Sequence, residues 1–234
     1  GKPAICADGD APQSLLAHAT NIAADLHLAG RDYTLTPTES GWSLSSRFGV
    51  LNDLPRPALV GDYQLGNAAA ALLAVQALQA RLPVAVSAMQ AALRAVRLPG
   101  RFEQVSERPA VFLDVAHNPQ ALAALVRNLD AQPVRGRTLA VVGMLSDKDI
   151  PGALAALAGK VDVWLLAALY VPRGASVAVV ERAVAGLGGR VESFASPEQA
   201  FQQAVGLAGG DDRIAAFGSF YTVAAVRRFL QNRE

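Results

Sequence analysis

The sequence predicts an α/β protein, most of which is a Rossmann-like, mostly parallel sheet with helices on both faces. From residue 101 onward, short apolar or β-branched runs alternate with segments of helical periodicity, which is the pattern of repeated βα units. The earlier part differs, because strand signals around a turn are followed by Ala/Leu-rich helices. The 234 residues are 52% hydrophobic and 18% charged, which is enough to fill a core and excludes a disordered chain.

The first part of the chain is predicted to form one helix and a small sheet. Residues 3–7 are apolar and strand-like, and residues 11–28 carry apolar side chains at helical spacing until Gly30 ends the pattern. Alternating segments on both sides of Glu39-Ser40-Gly41 predict a hairpin, to which residues 48–51 add a further strand.

A domain boundary is expected at Pro99-Gly100. Two Ala/Leu-rich helices, at 67–80 and 84–96, precede it, so we expect one domain at 1–98 and a second at 99–234. The elements of the second domain are predicted as strands at 110–114, 138–142, 161–167, 191–194 and 213–217 and helices at 121–129, 150–157, 177–185, 197–207 and 222–230.

Composition excludes several classes of function. The chain has 21 Lys and Arg against 20 Asp and Glu, a net charge of +1 that gives no indication of nucleic-acid binding. Cys6 has no partner for an intrachain disulfide or a cysteine-based zinc site, which favours a reducing compartment, and we expect the cytoplasm. No apolar run reaches the roughly 18 residues of a membrane span. The start at Gly1-Lys2-Pro3 lacks an initiator Met, so we expect a piece of a longer protein.

The functional site is expected in the loops that follow the strands, because ligands of parallel sheets bind beyond the carboxyl ends of the strands. Asp114, His117 and Asn118 follow the first of these strands. They can form a polar site; alternatively, Asn118 caps the next helix, Asp114 accepts backbone N–H groups and His117 is a surface residue. Ser219 follows the last strand, where it can approach a carboxylate or phosphate or serve as a helix cap alone.

For the other charged side chains on the strand-end loops, ligand binding and an ordinary structural or solvent-exposed role both remain open. Asp147, Lys148 and Asp149 can contact a polar ligand, or they can be favourable helix-end and solvated charges. Arg173 on the next loop can bind an anion or face solvent. Arg101, at the expected hinge, can clamp phosphates or be an ordinary surface arginine.

Several familiar sites do not occur in the sequence. It contains no P-loop, no Gly-x-Gly-x-x-Gly fingerprint and no Gly-x-Ser-x-Gly elbow. His18 and His27 fall in the predicted helix without metal-ligand spacing, so no metal site is predicted. Trp42, Trp164 and Met89 are interpreted as packing residues.

Four motifs occur in a specific order: Leu98-Pro99-Gly100-Arg101-Phe102-Glu103, then the segments at 114–121 and 143–149, then Gly218-Ser219-Phe220. This set resembles the C-terminal half of the bacterial bifunctional dihydrofolate synthase/folylpolyglutamate synthases of the Mur ligase superfamily. The resemblance implies a Mur ligase C-terminal domain at 99–234 that acts as a closing lid, preceded by the remaining part of an α/β central ATPase domain. Together with the composition, it leads us to expect a cytoplasmic monomer that binds neither nucleic acid nor membranes.

The activity that the resemblance implies is ATP-dependent ligation of L-glutamate to dihydropteroate and to folates through an acyl phosphate, with Mg²⁺ as the metal. By the resemblance, Asn67, Arg101 and Asp114 bind ATP, at the base region, the phosphates and the ribose respectively. His117 and Ser219 bind the incoming glutamate. These binding roles are positional and electrostatic, as expected for phosphoryl chemistry that depends mainly on alignment and charge neutralisation. No catalytic residue and no metal ligand is assigned within the chain.

The chain departs from the family pattern at one point and is expected to be incomplete. Tyr63-Gln64 stands where many relatives carry His-Gln, so the role of that histidine does not transfer. The P-loop, the magnesium ligands, the pterin pocket and a lysine that can be carbamylated are expected upstream of Gly1, so we expect this chain alone to be inactive. Two alternatives remain: another Mur-type ligase of peptidoglycan synthesis, and a non-catalytic nucleotide-binding module.

Overall fold

The computed structural model describes residues 1–232, and the contacts divide the chain into two compact units. The first unit is Gly1–Arg97 and the second begins at Leu98. Among the described residues, no helix is both long and apolar enough to cross a membrane.

Two small sheets and three helices form the first unit. Strand β1 (Pro3–Cys6) is followed by α1 (Gln13–Asn21) and by β2 (Asp25–Leu28), which pairs with β1 in parallel. The predicted helix at 11–28 is therefore wrong over its last third. The helix ends because Ala23 adopts a positive φ of 51°, and the segment after it gains main-chain hydrogen bonds from β1, which local periodicity cannot reveal. His27 accordingly lies in a strand and not in a helix.

The predicted hairpin and the two helices after it are confirmed. An antiparallel sheet has the order β3 (Tyr33–Pro37), β4 (Trp42–Ser46) and β5 (Gly49–Leu54). Helices α2 (Tyr63–Leu78) and α3 (Val86–Ala95) follow. Their apolar faces share a core with this sheet, in which Trp42 and Met89 are buried as the sequence analysis expects.

The second unit contains a six-stranded sheet, which confirms the predicted fold class. Its elements, in chain order, are β6 (Glu103–Glu107), β7 (Ala110–Leu113), α4 (Pro119–Asp130), β8 (Thr138–Val142), α5 (Ile150–Ala155), β9 (Val163–Ala167), α6 (Val177–Val184), β10 (Arg190–Phe194), α7 (Pro197–Leu207), β11 (Arg213–Phe217) and α8 (Phe220–Gln231). The strand order is β10-β9-β8-β11-β7-β6, and all pairs are parallel except β6 with β7.

Helices cover both faces of this sheet. Helices α4, α5 and α6 pack on one face in a core that includes Trp164, while α7 and α8 pack on the other around Phe201. The central strands β8, β9 and β11 are buried along their whole length, so their side chains do not alternate between apolar and polar. Strand β6 was not predicted, because it lies at the sheet edge and has the polar sequence Glu-Gln-Val-Ser-Glu.

A buried arginine fastens the amino-terminal end of the sheet. Arg213, only 8% exposed, donates from Nε to the hydroxyl of Thr138 at 2.9 Å. Its Nη1 donates to the carbonyl oxygens of Leu129 at 2.7 Å and Gln132 at 3.2 Å. Burial lowers the pKa of the guanidinium, and these three acceptors compensate the charge that is removed from water.

We expect Arg213→Met to lower the free energy of unfolding of the second unit by about 2–4 kcal/mol, because two buried acceptors and one half-buried acceptor lose their charged donor. Urea unfolding in a Trp42→Phe background, followed by Trp164 fluorescence, measures it. The matched control is Arg228→Met, since Arg228 is 72% exposed, and it should change stability by less than about 0.5 kcal/mol. Equal effects of the two substitutions would contradict the prediction.

Candidate functional site

The carboxyl ends of four parallel strands meet around one pocket of about 350 Å³ in the second unit. Because β11 lies between β7 and β8, with β9 next to β8, the loops after these strands converge at one edge of the sheet. We call this the strand-end pocket, and its lining residues are His117, Leu145, Lys148, Arg173, Gly218, Ser219, Phe220 and Tyr221.

Asp114 lies beside this edge and holds two backbone segments. Its Oδ2 accepts the N–H of Phe102 and its Oδ1 accepts the N–H of Ala116, both at 2.8 Å. Burial raises the pKa of the carboxyl, an effect that the two N–H donors and the nearby charge of Arg101 only partly offset. The structure thus bears out the backbone-anchoring interpretation, and the second lone pair of each oxygen remains for another donor.

Arg101 reaches the rim of the pocket through an aromatic ring. Its guanidinium carbon lies 5.5 Å from the centroid of the Phe220 ring, which is a cation–π distance. Phe220 is 60% exposed and lines the pocket. The contact therefore places a partly exposed positive charge next to the pocket.

His117 lines the pocket in a defined tautomer. Its Nδ1 lies 2.8 Å from the carbonyl oxygen of Val115. A carbonyl oxygen can only accept a hydrogen bond, so Nδ1 carries the hydrogen, and Nε2 of the neutral ring keeps a lone pair. The next residue, Asn118, caps α4 by accepting the N–H of Ala121 at 2.8 Å, as the sequence analysis expects.

Ser219 belongs to a buried run of hydrogen bonds, which we call the hydroxyl chain. Its Oγ accepts the N–H of Thr222 at 3.0 Å, which caps α8, and lies 2.8 Å from Thr222 Oγ1. Thr222 Oγ1 donates to the carbonyl oxygen of Gly143 at 2.7 Å. Gly218 permits this approach, because its φ is +108° and a Cβ there would lie 2.7 Å from that carbonyl oxygen.

Two cations line the pocket, with a carboxylate between them. Asp147 Oδ2 lies 3.0 Å from Lys148 Nζ and 3.3 Å from Arg173 Nη1. The hydrogen bond from Lys148 lowers the pKa of Asp147, and the charges of both cations add to this effect. Asp149 has a separate role, because it caps α5 by accepting the N–H of Gly152 at 3.0 Å. The pocket therefore combines two positive side chains, Lys148 and Arg173, with two hydrogen-bond acceptors, His117 Nε2 and Ser219 Oγ.

The structure brings some of the predicted site residues together. His117 and Ser219 both line the pocket, and Arg101 reaches it through Phe220. Asp114 lies on the same loop as His117 but is directed at the backbone. Asn67 lies in the first unit, exposed on α2, where its Nδ2 donates to Gln64 Oε1 at 3.0 Å.

The sequence analysis assigned no role to Phe220, which it named only as part of a motif, or to Tyr221 and Thr222. The first two line the pocket and the third is completely buried beneath Ser219. All three follow directly after the Gly218-Ser219 turn, and aromatic residues beside such a turn were the available signal. In the described residues 1–232, no group of three or more His, Cys, Asp or Glu side chains could hold a metal ion.

Comparison with known proteins gives consistent results. The family model for the glutamate ligase domain of Mur ligases matches residues 100–220. Over 232 residues, the chain is 39% identical to the dihydrofolate synthase/folylpolyglutamate synthase of Escherichia coli strain K12, a match that covers 99% of this chain and 53% of that protein. The chain thus spans about half the length of the curated relatives it matches.

Solved structures are similar to the whole chain. E. coli FolC in complex with DHPP and ADP has a TM-score of 0.86 at 40% identity, over 100% of this chain and 54% of that chain. A bifunctional folylpolyglutamate synthase/dihydrofolate synthase with Mn, AMPPNP and L-glutamate bound has a TM-score of 0.85 at 39% identity, over 99% of this chain and 54% of that chain.

We expect Asp114→Asn to destabilise the second unit by about 1–2 kcal/mol at pH 7, because the new amide N–H₂ faces a backbone donor in place of an acceptor. The deficit should grow as pH falls. Since the folded-state pKa of Asp114 lies above 3.8, the folded protein takes up this proton before the unfolded chain does. The unsubstituted protein therefore gains stability, relative to the variant, from the folded-state pKa down to 3.8.

Urea unfolding of both proteins across this pH range gives the difference between their free energies of unfolding. The contributions of all other carboxylates cancel in this difference. Asp162→Asn is a suitable control, because Asp162 also accepts a backbone N–H, from Thr138 at 2.7 Å, but lies at the other end of the sheet. A deficit that shrinks as pH falls would show that the environment lowers the pKa of Asp114.

Proposed function

Because this chain belongs to the Mur ligase family through its glutamate ligase domain, we propose that it is part of an ATP-dependent amide ligase. The substrates we propose are L-glutamate and either dihydropteroate or a folate. The carboxylate of the folate substrate becomes an acyl phosphate, which the amine of glutamate attacks. The observation that carries this proposal is the strand-end pocket, where His117 and Ser219 lie with Lys148 and Arg173.

The charges of the pocket suit an amino acid with two carboxylates. Lys148 and Arg173 can each pair with one carboxylate, and both already bind a carboxylate, that of Asp147. Arg173 is well exposed and can turn toward a ligand, whereas Lys148 is less exposed. The acceptors of His117 and Ser219 complement the remaining polar group of glutamate, its amine.

The nucleotide role rests on Arg101 and Asp114. The guanidinium of Arg101 is partly exposed and close to the pocket rim, where it can reach phosphate oxygens. Asp114 orders the backbone that carries Arg101 and Phe102, and a ribose hydroxyl can donate to the lone pairs that its carboxylate keeps. In this proposal the first unit is the remaining part of the central ATPase domain, and Asn67 contacts the base.

The proposal assigns no metal ligand to this chain. Among residues 1–232, no group of three or more His, Cys, Asp or Glu side chains could hold a metal ion, so we assign no step to a metal held by these residues. One solved relative carries Mn together with AMPPNP. We propose that Mg²⁺ enters with the nucleotide.

We expect a protein of the relatives' full length that carries these 234 residues to incorporate labelled L-glutamate into dihydropteroate only when ATP is present. The 234-residue chain alone should incorporate none above a blank, since the sequence contains no loop that cradles a triphosphate. UDP-muramoyl substrates are the matched comparison. Preferential turnover of these would favour a peptidoglycan ligase, and nucleotide binding without turnover of either acceptor would favour a binding module.

We expect Arg101→Ala in the same full-length protein to weaken ATP binding by about 10–100-fold, which corresponds to the loss of a charge-assisted contact of roughly 1–3 kcal/mol. Titration with a fluorescent ATP analogue measures this effect. Arg228→Ala removes the same charge from a remote, exposed position of α8 and should leave the affinity within two-fold. If both variants bind equally well, Arg101 does not contact the nucleotide.

A further inference from the structure

The hydroxyl chain determines where the Ser219 proton lies. Thr222 has one hydroxyl proton, and the oxygen of Gly143, 2.7 Å away, can only accept it. The contact of 2.8 Å between the two hydroxyl oxygens then requires Ser219 as the donor. Ser219 Oγ also accepts the N–H of Thr222, so it keeps one lone pair and no proton for a ligand.

Reversing this chain would be costly. If Thr222 donated to Ser219, the Gly143 carbonyl oxygen would lose this donor, and Thr222 is completely buried, so water could not replace it. Ser219 is itself only 3% exposed. The closed arrangement therefore leaves Ser219 as an acceptor, so its hydroxyl has no proton to donate to the carboxylate or phosphate that the sequence analysis placed near it.

We propose that Thr222 is a positioning residue that holds Ser219 as an acceptor for the amine of the incoming amino acid. This inference rests on the proposed function and deepens it. His117 is also an acceptor toward the pocket, because its Nδ1 hydrogen is bound by the Val115 carbonyl oxygen and its Nε2 keeps a lone pair. Two acceptors thus line the pocket beside the cations Lys148 and Arg173.

The chemistry of ligation explains why this polarity matters. In the proposed step the nitrogen lone pair of the neutral amine forms the C–N bond, the C–O bond to phosphate breaks, inorganic phosphate leaves and the nitrogen releases a proton to solvent. An acceptor binds an N–H of the amine and leaves its lone pair free. A hydroxyl donor would bind that lone pair and block the attack. Thr222 prevents this by taking the Ser219 proton.

The test compares L-glutamate with glutarate, which has both carboxylates but no amine. In the full-length protein that carries this chain, Ser219→Ala should raise the KM for L-glutamate about ten-fold and leave the Ki of glutarate within two-fold. Thr222→Val, which removes the hydroxyl and keeps the shape, should lower kcat at least five-fold with the glutarate Ki unchanged. Thr222→Ser should restore kcat to within two-fold, because it restores the hydroxyl.

The control for the loss of a helix cap is Ser196→Ala, since Ser196 caps α7 through the N–H of Gln199 and does not line the pocket. It should leave KM, kcat and Ki unchanged. Equal weakening of L-glutamate and glutarate by Ser219→Ala would overturn the proposal, because Ser219 would then bind a carboxylate. Normal kcat in Thr222→Val would also overturn it.

A measurement on the 234-residue chain separates this inference from the proposed function. Nuclear magnetic resonance should detect a coupling through the hydrogen bond from the Thr222 hydroxyl proton to the Gly143 carbonyl carbon. A Thr222 proton directed at Ser219 overturns the inference whatever the enzyme does. If the coupling is present but no variant, nor the unsubstituted full-length protein, ligates glutamate, the proposed function fails and the amine assignment fails with it.

Discussion

The position of β11 between β7 and β8 is the constraint on which the site depends. β11 pairs with β7 through residues 213–216 and with β8 through residues 213–217, and the Gly143 N–H donates to the carbonyl oxygen of Phe217. Residues that are about 100 positions apart in the chain, such as His117 and Ser219, thereby reach one pocket. The helices on both faces stabilise this order, because β8 and β11 are buried from end to end.

Several polar side chains around the pocket form hydrogen bonds with main-chain groups. The Asp114 carboxylate accepts two main-chain N–H groups, the His117 ring donates to a carbonyl oxygen and Thr222 donates to another. Each of these contacts satisfies a buried group that would otherwise be costly. Each also decides which atoms remain for a ligand, so the same bonds that hold the strand-end loops together set the donor and acceptor pattern of the pocket.

The family resemblance and the fold class that the sequence predicts are confirmed. Local patterns were sufficient for α7 and β11, whose predicted and observed bounds coincide. They failed where pairing decides the structure. Residues 25–28 form a strand because β1 is available to them, and the polar strand β6 exists because it can pair with the edge of β7. Neither partner can be identified from the local sequence.

The sequence by itself determined the alternation of strands and helices, the strand-end positions of Asp114, His117 and Ser219, and the helix cap at Asn118, because periodicity and capping depend on near neighbours. The tertiary structure alone decided the strand order, the shared pocket and the direction of the Ser219 proton. The physical reason is that the acceptor which fixes this proton, the Gly143 carbonyl oxygen, lies 79 positions from Thr222 in the chain and 2.7 Å from it in space.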